Sequence, residues 1–263
     1  MAETGSSTDR GDAARRVAIV TGGSRGIGRS AVLNLAARGL DVIFTYNSDA
    51  GAADEVTAEA RKHGGLVSAL RVDVSEVGTL DSFAAQVRAE LAAMGVDRFD
   101  YLVNNAGIWH TASFAETTVE DLDRLYAVNV RGVFFVTQQL VPLIRDGGRI
   151  VNLSSGLVRF VFPGKAAYAV SKGAIEPLTR YLATELAPRG IRVNTLAPGA
   201  TATDFSGGVI RDDPEYRKRV GAITALGRPA EPEEIGRVVA ALLSDDTGWI
   251  NGERIEASGG MKL

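Results

Sequence analysis

The fold of this 263-residue chain is decided by residues 17–28, which read VAIVTGGSRGIG. The apolar, partly β-branched run Val17–Thr21 has the length and composition of a buried strand. A glycine-rich turn follows, and Ile27–Arg38 then repeats apolar residues at helical spacing. This order places free backbone N–H groups and the positive end of a helix dipole at one point, which favours binding of a pyrophosphate.

The same alternation of strand and helix continues to the end of the chain. It predicts an α/β fold in which a doubly wound, seven-stranded, mostly parallel sheet carries helices on both faces, within one domain over residues 17–263. The predicted strands are Val17–Thr21, Val42–Tyr46, Leu66–Val72, Tyr101–Val103, Arg149–Leu153, Ile191–Leu196 and Arg254–Ala257. The predicted helices are Ile27–Arg38, Ala50–His63, Leu80–Met94, Val119–Ile144, Lys165–Leu186 and Pro232–Leu243.

Composition excludes several classes of protein. The chain has no cysteine, two histidines and a net charge of −3, so we expect no disulfide, no metal site and no nucleic-acid partner. No apolar run reaches the roughly 18 residues of a membrane span, so we expect no membrane partner and a cytoplasmic location. The polar residues 1–16 lack the apolar core of a signal peptide and are predicted to be a disordered leader.

The end of the second predicted strand indicates which dinucleotide the turn would hold. Tyr46 stands where an acidic residue would bind a ribose 2′-hydroxyl. Arg25 in the turn, together with Asn47 and Ser48, could instead bind a 2′-phosphate. We therefore predict NADP(H) as the cofactor, although Arg25 could simply be solvated and Asp49 lies close enough to leave NAD(H) open.

Ser155, Tyr168 and Lys172, further along the chain, are candidate catalytic residues. Ser155 follows the fifth predicted strand, and Tyr168 and Lys172 lie four residues apart, on one face of a helix. A lysine ammonium beside a phenol stabilises the phenolate, which would make Tyr168 a competent general acid or base. Ser155 could hydrogen-bond a substrate oxygen, and Ser154 is its nearest rival for this role.

The turn T-G-x-x-x-G-x-G, followed by Ser155 and Y-x-x-x-K, resembles the short-chain dehydrogenase/reductase family over about residues 17–260. The resemblance implies a Rossmann fold and an NADP-dependent oxidoreductase that moves a hydride between nicotinamide and a ketone or secondary alcohol. It implies that Tyr168 is the general acid or base, with Ser155, Lys172 and Asn129 completing the catalytic set; Asn129 would hold a water that extends a proton relay to Lys172, or would simply be a buried polar residue.

The resemblance also implies a set of cofactor contacts at the strand ends. These are Gly22, Ser24, Arg25, Gly26, Ile27, Gly28, Tyr46, Asn47, Ser48, Asp73, Val74, Asn105, Ala106, Gly107, Tyr168, Lys172, Pro198, Gly199, Thr201 and Thr203. Asp73 would reach the adenine or else cap the next helix, and Asn104 would support the sheet or line the cofactor. Residues 204–225 would form a mobile flap over the substrate.

Substrate and assembly are less constrained. Trp109, His110, Phe160, Phe162 and Phe205 fall on segments around the expected pocket and favour a hydrophobic or cyclic ketone, although each could be ordinary loop packing. Apolar residues on helices 119–145 and 165–188 are similar to those that pair subunits in the family, which implies a homotetramer or a dimer.

Three alternative functions stay open. The chain is also similar to β-ketoacyl-carrier-protein reductases, and Arg189 could dock an acidic carrier, although Asp146 in the other expected docking region weakens this hypothesis. A dinucleotide-sensing protein without turnover would not need Ser155, Tyr168 and Lys172 together. A serine hydrolase lacks its G-x-S-x-G motif here.

Overall fold

A computed structural model of the protein describes residues 15–263 and contains one seven-stranded sheet. The strands lie in the order β3-β2-β1-β4-β5-β6-β7, and every pairing between them is parallel. The predicted doubly wound Rossmann sheet is therefore confirmed. The strands are β1 (Val17–Val20), β2 (Asp41–Tyr46), β3 (Val67–Arg71), β4 (Phe99–Asn104), β5 (Ile144–Leu153), β6 (Arg192–Pro198) and β7 (Arg254–Ala257).

Helices cover both faces of this sheet, as the sequence predicts. They are α1 (Gly26–Ala37), α2 (Ala50–Arg61), α3 (Leu80–Ala93), α4 (Val119–Tyr126), α5 (Val133–Leu140), α6 (Ala166–Gly173), α7 (Ile175–Glu185), α8 (Val209–Asp212), α9 (Pro214–Ala222) and α10 (Pro232–Leu242). Helices α1, α2 and α10 pack on one face, and α3, α5 and α7 pack on the other.

Successive residues of β1 show why its sequence is continuously apolar. Ala18 and Val20 join the core beneath α1 and α10, whereas Val17 and Ile19 join the core beneath α3 and α5. All four side chains have no solvent exposure. A strand covered on both faces needs apolar residues at every position instead of at alternate ones.

Two long helices predicted from the sequence are interrupted. The segment predicted as Val119–Ile144 is α4, a π-helical turn over Ala127–Gly132 and α5, which ends before Pro142; Ile144 already belongs to β5. The segment predicted as Lys165–Leu186 is divided into α6 and α7 near Pro177. Each proline lacks the N–H that a continuous helix would use.

A row of buried amides and hydroxyls joins the neighbouring strands β4, β5 and β6. Asn104 Nδ2 donates to Asn152 Oδ1 and to Thr137 Oγ1, both at 2.8 Å. Asn152 Nδ2 donates to Thr179 Oγ1 at 3.0 Å, and Thr195 Oγ1 contacts the same hydroxyl at 2.7 Å. We call these five residues the amide row; they show that Asn104 supports the sheet.

The predicted leader falls mostly outside the described residues, since the structure describes nothing before residue 15. Arg15 and Arg16, at its end, lie against the domain. Arg15 pairs with Asp41 at 3.3 Å, and Arg16 donates to Tyr101 Oη at 2.9 Å. Within residues 15–263, no helix is long and apolar enough to cross a membrane.

Candidate active site

The carboxyl ends of the parallel strands open into a cleft of about 1110 Å³. Open α/β sheets bind ligands at this edge, beside the point where the strand order reverses, which here is between β1 and β4. Every residue that the sequence assigned to cofactor binding lines this cleft, as do Ser155, Tyr168 and Lys172. Among the residues predicted to be catalytic or to bind the cofactor, Asn129 alone does not line the cleft.

Hydroxyls at two strand ends hold the glycine-rich turn. Thr45 at the end of β2 accepts from Gly22 N–H through its side chain at 3.0 Å and from Gly23 N–H through its backbone at 2.8 Å. Thr21 Oγ1 accepts from the N–H groups of Asn105 and Ala106, both at 3.0 Å. The turn is therefore fixed before any ligand arrives, by residues that follow β1, β2 and β4.

The Asn105 side chain holds the glycine-rich turn through hydrogen bonds. Its Nδ2 donates to the carbonyls of Thr21 and Gly22, both at 2.9 Å. The sequence placed Asn105 among the cofactor contacts, and the structure adds that it clamps the turn from the β4 side.

The turn fits a dinucleotide because glycines leave room that side chains would fill. Gly22 and Gly26 have φ of +67° and +54°, in the left-handed region that favours glycine. A Cβ added at Gly28 would lie 2.1 Å from the Gly22 carbonyl oxygen and 2.5 Å from Asn105 Nδ2. With the start of α1 at Gly26, this arrangement provides the N–H groups and dipole that bind a pyrophosphate.

We expect Gly28→Ala to lower NADPH affinity at least about tenfold and the free energy of unfolding by roughly 1–3 kcal/mol, because the turn must shift to admit the methyl group. Fluorescence titration with NADPH and urea unfolding would measure the two effects. Gly78→Ala is the control, since a Cβ at the exposed Gly78 meets nothing within 4 Å. Unchanged NADPH affinity in Gly28→Ala would show that the turn is not the cofactor site.

The end of β2 carries the residues predicted to select the dinucleotide. Asn47 Nδ2 donates to Asp73 Oδ2 at 3.2 Å, and Arg71 donates to the Asn47 carbonyl at 2.9 Å. Asp49 caps α2 by accepting from Ala52 N–H at 2.9 Å. The Asp49 carboxylate, which left NAD(H) open as the cofactor, therefore caps the N-terminus of α2.

Asp73 is an ionised carboxylate in the adenine half of the cleft. Burial opposes its ionisation, but hydrogen bonds from the Ser75 hydroxyl, the Ser75 N–H and Asn47 together hold the pKa of Asp73 below its usual value. The Ser75 hydroxyl and N–H lie 2.7 and 2.9 Å from Asp73 Oδ1. Asp73 thus orders its own turn and remains able to accept a hydrogen bond.

The three predicted reacting residues converge at the other end of the cleft. Tyr168 and Lys172 lie on α6, and Ser155 follows β5. The Ser155 side chain lies beside the Tyr168 phenol and acts to lower its pKa. Ser155 Oγ also accepts from Leu157 N–H at 3.2 Å, which fixes the hydroxyl. Ser154, the rival, instead hydrogen-bonds the Lys172 carbonyl at 3.1 Å and is held away from this role.

Burial sets the charge states of the pair on α6. Burial lowers the pKa of Lys172 to about 8, and its Nζ donates to the Leu153 carbonyl at 2.9 Å. Burial also raises the pKa of the Tyr168 phenol above its usual value, a shift that the Ser155 side chain partly offsets. Without a cofactor, the phenol is therefore protonated and Lys172 carries its charge only below about pH 8.

Asn129 lies behind the cleft, in the π-helical turn, and is fully buried. Its side chain exchanges two hydrogen bonds with the Ile108 backbone, at 2.9 and 3.0 Å, and donates to Ser171 Oγ at 3.0 Å. A Cβ added at Gly107 would meet both Asn129 Oδ1 at 3.1 Å and Lys172 Nζ at 3.2 Å. Asn129 is thus next to Lys172, although its amide is occupied by protein groups.

Aromatic rings surround the Tyr168 phenol. The Trp109 ring centroid lies 4.7 Å from that of Tyr168, and Phe205 lies 5.9 Å from Trp109 and 6.1 Å from Tyr168. Phe160 and Phe162 also line the cleft. Four of the five predicted aromatic and histidine positions are therefore at the pocket.

His110 is the exception among those positions. It does not line the cleft, and its Nε2 lies 3.3 Å from Asp121 Oδ2 on α4. The predicted flap is built from a 3-10 turn at Phe205–Gly208 and helices α8 and α9, and it contributes Phe205, Val209 and Tyr216 to the cleft.

Sequence reasoning missed the residues that act on the site from behind or from its rim. Thr21 and Thr45 stand at strand ends, where a polar residue after an apolar run could have drawn attention to them. Lys165 lines the cleft three residues before Tyr168. That i, i+3, i+7 spacing with Tyr168 and Lys172 was visible in the sequence.

Fold and site define an oxidoreductase of the ketoreductase and dehydrogenase kind. A family model described as enoyl-(acyl carrier protein) reductase matches residues 22–262. The chain belongs to the short-chain dehydrogenase/reductase family, as the resemblance of its motifs implied.

Individual relatives share nearly the whole chain. A hydroxynaphthalene reductase-like protein of Metarhizium brunneum is 37% identical, with 94% of this chain and 95% of that protein covered. The promiscuous reductase LugOII, which catalyses keto-reduction at C1 during lugdunomycin biosynthesis, superposes with a TM-score of 0.89 at 39% identity, covering 94% and 98% of the two chains. The angucycline C-6 ketoreductase LanV with bound NADP gives 0.89 at 38%, covering 94% and 96%.

Proposed function

We propose that this protein is an NADP(H)-dependent ketoreductase that reduces a cyclic, hydrophobic ketone to a secondary alcohol, with Tyr168 as the general acid. The observation that carries the proposal is the position of the Tyr168 phenol, which lies beside the Ser155 side chain and one helical turn from Lys172, in a cleft that begins at the glycine-rich turn.

The protein's own groups handle the substrate oxygen and the proton. When bound, the reduced nicotinamide supplies the hydride that forms the new C–H bond at the carbonyl carbon. The Ser155 hydroxyl donates a hydrogen bond to the carbonyl oxygen and orients it. Tyr168 Oη donates its proton to that oxygen as the C=O double bond becomes a single bond.

The phenolate that remains on Tyr168 must be stabilised and then reprotonated. Lys172 supplies a positive charge beside it. We assign to Asn129, which lies next to Lys172 at Gly107, the water that extends the proton relay to Lys172. In the direction of alcohol oxidation the same groups act in reverse, with the Tyr168 phenolate as the base.

Preference for NADP(H) is supported by the charge around β2. Arg25 lines the cleft, whereas Tyr46 replaces the acidic residue that an NAD(H) site would use. Asp49 is turned to the N-terminus of α2. Asp49 also lines the cleft, but its carboxylate is engaged in capping α2, so a 2′-phosphate would be attracted mainly by the Arg25 guanidinium. LanV, which is similar over nearly its whole length, has NADP bound.

We expect the purified protein to oxidise NADPH in the presence of cyclic and aryl ketones, and to favour NADPH over NADH. Arg25→Ala should raise KM for NADPH about tenfold to hundredfold, the range expected for a charge-assisted contact, while changing KM for NADH less than about twofold. Absorbance at 340 nm measures both. Arg38→Ala, at the exposed end of α1, is the control. A failure to bind either nucleotide would overturn the proposed function.

The substrate class follows from the rings around Tyr168. Trp109 and Phe205 contact the Tyr168 ring with their rings tilted against it, and Phe160 also lines the cleft, so the wall near the proton donor is aromatic and suits fused or aryl rings. The hydroxynaphthalene reductase-like relative and LanV carry names that indicate ring ketones as substrates.

Two other functions are less well supported. As a 3-oxoacyl-[acyl-carrier-protein] reductase, the protein would need free basic residues to dock an acidic carrier, but Arg189 is paired with Asp146 at 2.8 Å. As a dinucleotide sensor it would bind NADPH and leave every ketone unreduced, which the same assay would reveal.

We further propose a homotetramer, or at least a dimer, through the helices that the sequence singled out. Phe134 on α5 and Tyr181 on α7 expose 46% and 70% of their surface. Large apolar side chains left exposed on neighbouring helices favour pairing of subunits, which sedimentation velocity would measure. The cytoplasmic location stays a prediction.

A further inference from the structure

Lys165 is a cation at the substrate end of the cleft that the reaction does not use. It precedes α6, and its position three residues before Tyr168 and seven before Lys172 places all three on one face of the helix. Its Nζ lies 4.2 Å from the centroid of the Trp109 ring. Trp109 in turn contacts the Tyr168 ring, so a single aromatic ring connects Lys165 with the proton donor.

This ammonium has only neutral partners among residues 15–263. Its hydrogen bond goes to Thr111 Oγ1 at 2.8 Å, and its charge rests on the face of Trp109. Burial lowers the pKa of Lys165, and no carboxylate acts to raise it. The nearby acid at this end of the cleft, Asp204, is already paired with Arg211. Lys165 therefore lines the cleft as a cation without a carboxylate partner among the described residues.

The position also works against the stability of α6. Residues that precede a helix are preferably Ser, Thr, Asp or Asn, which accept from its first N–H groups. Lys165 cannot accept, and no side chain caps α6. Its charge also faces the positive end of the helix dipole, which is unfavourable. A residue that breaks a local preference beside a reacting group is best explained by a ligand that it binds.

We propose that Lys165 binds an anionic oxygen on the ring substrate, either a carboxylate or an ionised ring hydroxyl, and so selects acidic aryl ketones over neutral ones. This inference rests on the proposed function for the ketone but concerns a separate contact. Thr111 takes one of the three ammonium N–H groups and leaves the others for the substrate. Trp109 contacts both Tyr168 and Lys165, so a fused ring bound at Tyr168 would bring a substituent on its far side near the Lys165 ammonium.

Ligand binding tests this without turnover. Trp249 is fully exposed, so in a Trp249→Phe background Trp109 is the remaining tryptophan of the chain and its quenching reports the pocket. With NADP⁺ present, two anionic probes are titrated, naphthalene-2-carboxylate and 4-nitro-1-naphtholate. Each anion is compared with a neutral derivative, which is the methyl ester for the carboxylate and the methyl ether for the naphtholate.

In this background, Lys165→Met should weaken binding of an anionic probe about tenfold to hundredfold and that of its neutral partner less than about twofold. Lys165→Arg should retain most of the anion affinity. Lys62→Met, at the far end of α2, is the charge-matched control. An effect on one anion alone identifies carboxylate or naphtholate as the group recognised.

Equal weakening of the acid and its ester, no weakening of either, or failure of both anions to bind the parent would overturn the role of Lys165. These outcomes are separate from failure of the proposed function. A protein that binds the anions through Lys165 but reduces no ketone would retain the Lys165 site and lose the ketoreductase assignment.

Discussion

Tyr168→Phe is expected to lower kcat for ketone reduction by about 10²–10⁴-fold, the contribution of a positioned general acid. The phenylalanine ring should keep the contacts with Trp109 and Phe205, since only the hydroxyl is removed. The interaction with the Ser155 side chain is lost, but the glycine-rich turn lies at the other end of the cleft. NADPH affinity should therefore change less than about threefold.

Single-turnover absorbance at 340 nm separates this loss of chemistry from cofactor binding, which fluorescence titration measures independently. Tyr181→Phe is the matched control, because Tyr181 is exposed on α7 and away from the cleft. Normal turnover by Tyr168→Phe would eliminate the phenol as proton donor. A large loss of NADPH affinity would show that the hydroxyl supports the cofactor instead.

Lys172→Met is expected to lower kcat at least about 100-fold while altering stability in a pH-dependent manner. Burial lowers the pKa of Lys172 from 10.5 to about 8 in the folded protein. Between these two values the unfolded chain binds the proton and the folded chain does not, so stability of the parent protein rises as pH increases through this window. The charged form costs about 3 kcal/mol below pH 8.

The methionine variant carries no such penalty, although it leaves the Leu153 carbonyl without its donor. The stability difference between variant and parent should therefore shift by about 3 kcal/mol in favour of the parent from pH 8 to pH 10.5. Urea unfolding without cofactor at several pH values measures it. The exposed Lys218→Met should give a flat difference. A flat difference for Lys172→Met as well would mean that Lys172 titrates normally.

The residues that follow the carboxyl ends of the strands were the part of the site that the sequence predicted best. The run at Val17 is apolar at every position and those around Val103 and Val151 are mostly apolar because both sheet faces are covered, and parallel pairing then brings the residues after them to one edge. This reasoning assigned the glycine turn, Ser155 and Tyr168 to one cleft. Local spacing on α6 was enough to pair Tyr168 with Lys172.

Helix interruptions and the depth of Asn129 were harder to predict. The breaks near Pro142 and Pro177 were encoded locally, but the periodic apolar pattern continued through them and suggested single helices. The π-helical turn has no local signal of its own. Asn129 in this turn accepts from Ile108 N–H and donates to the Ile108 carbonyl and Ser171 Oγ, groups that are distant in sequence and adjacent only after folding.

The amide row has a consequence for how the sheet finds its alignment. Asn104, Asn152 and Thr195 are direct register partners across β4, β5 and β6. Because most other buried residues of these strands are apolar on both faces, their burial alone would distinguish the native register poorly from one shifted by a residue. A shifted register would, however, leave the buried amides and hydroxyls of the amide row without hydrogen-bond partners, which costs about 1–3 kcal/mol for each group. The polar atoms of the amide row thus distinguish the native register from a shifted one, which the apolar residues of these strands do not. The position of Ser155 after β5 depends on that register.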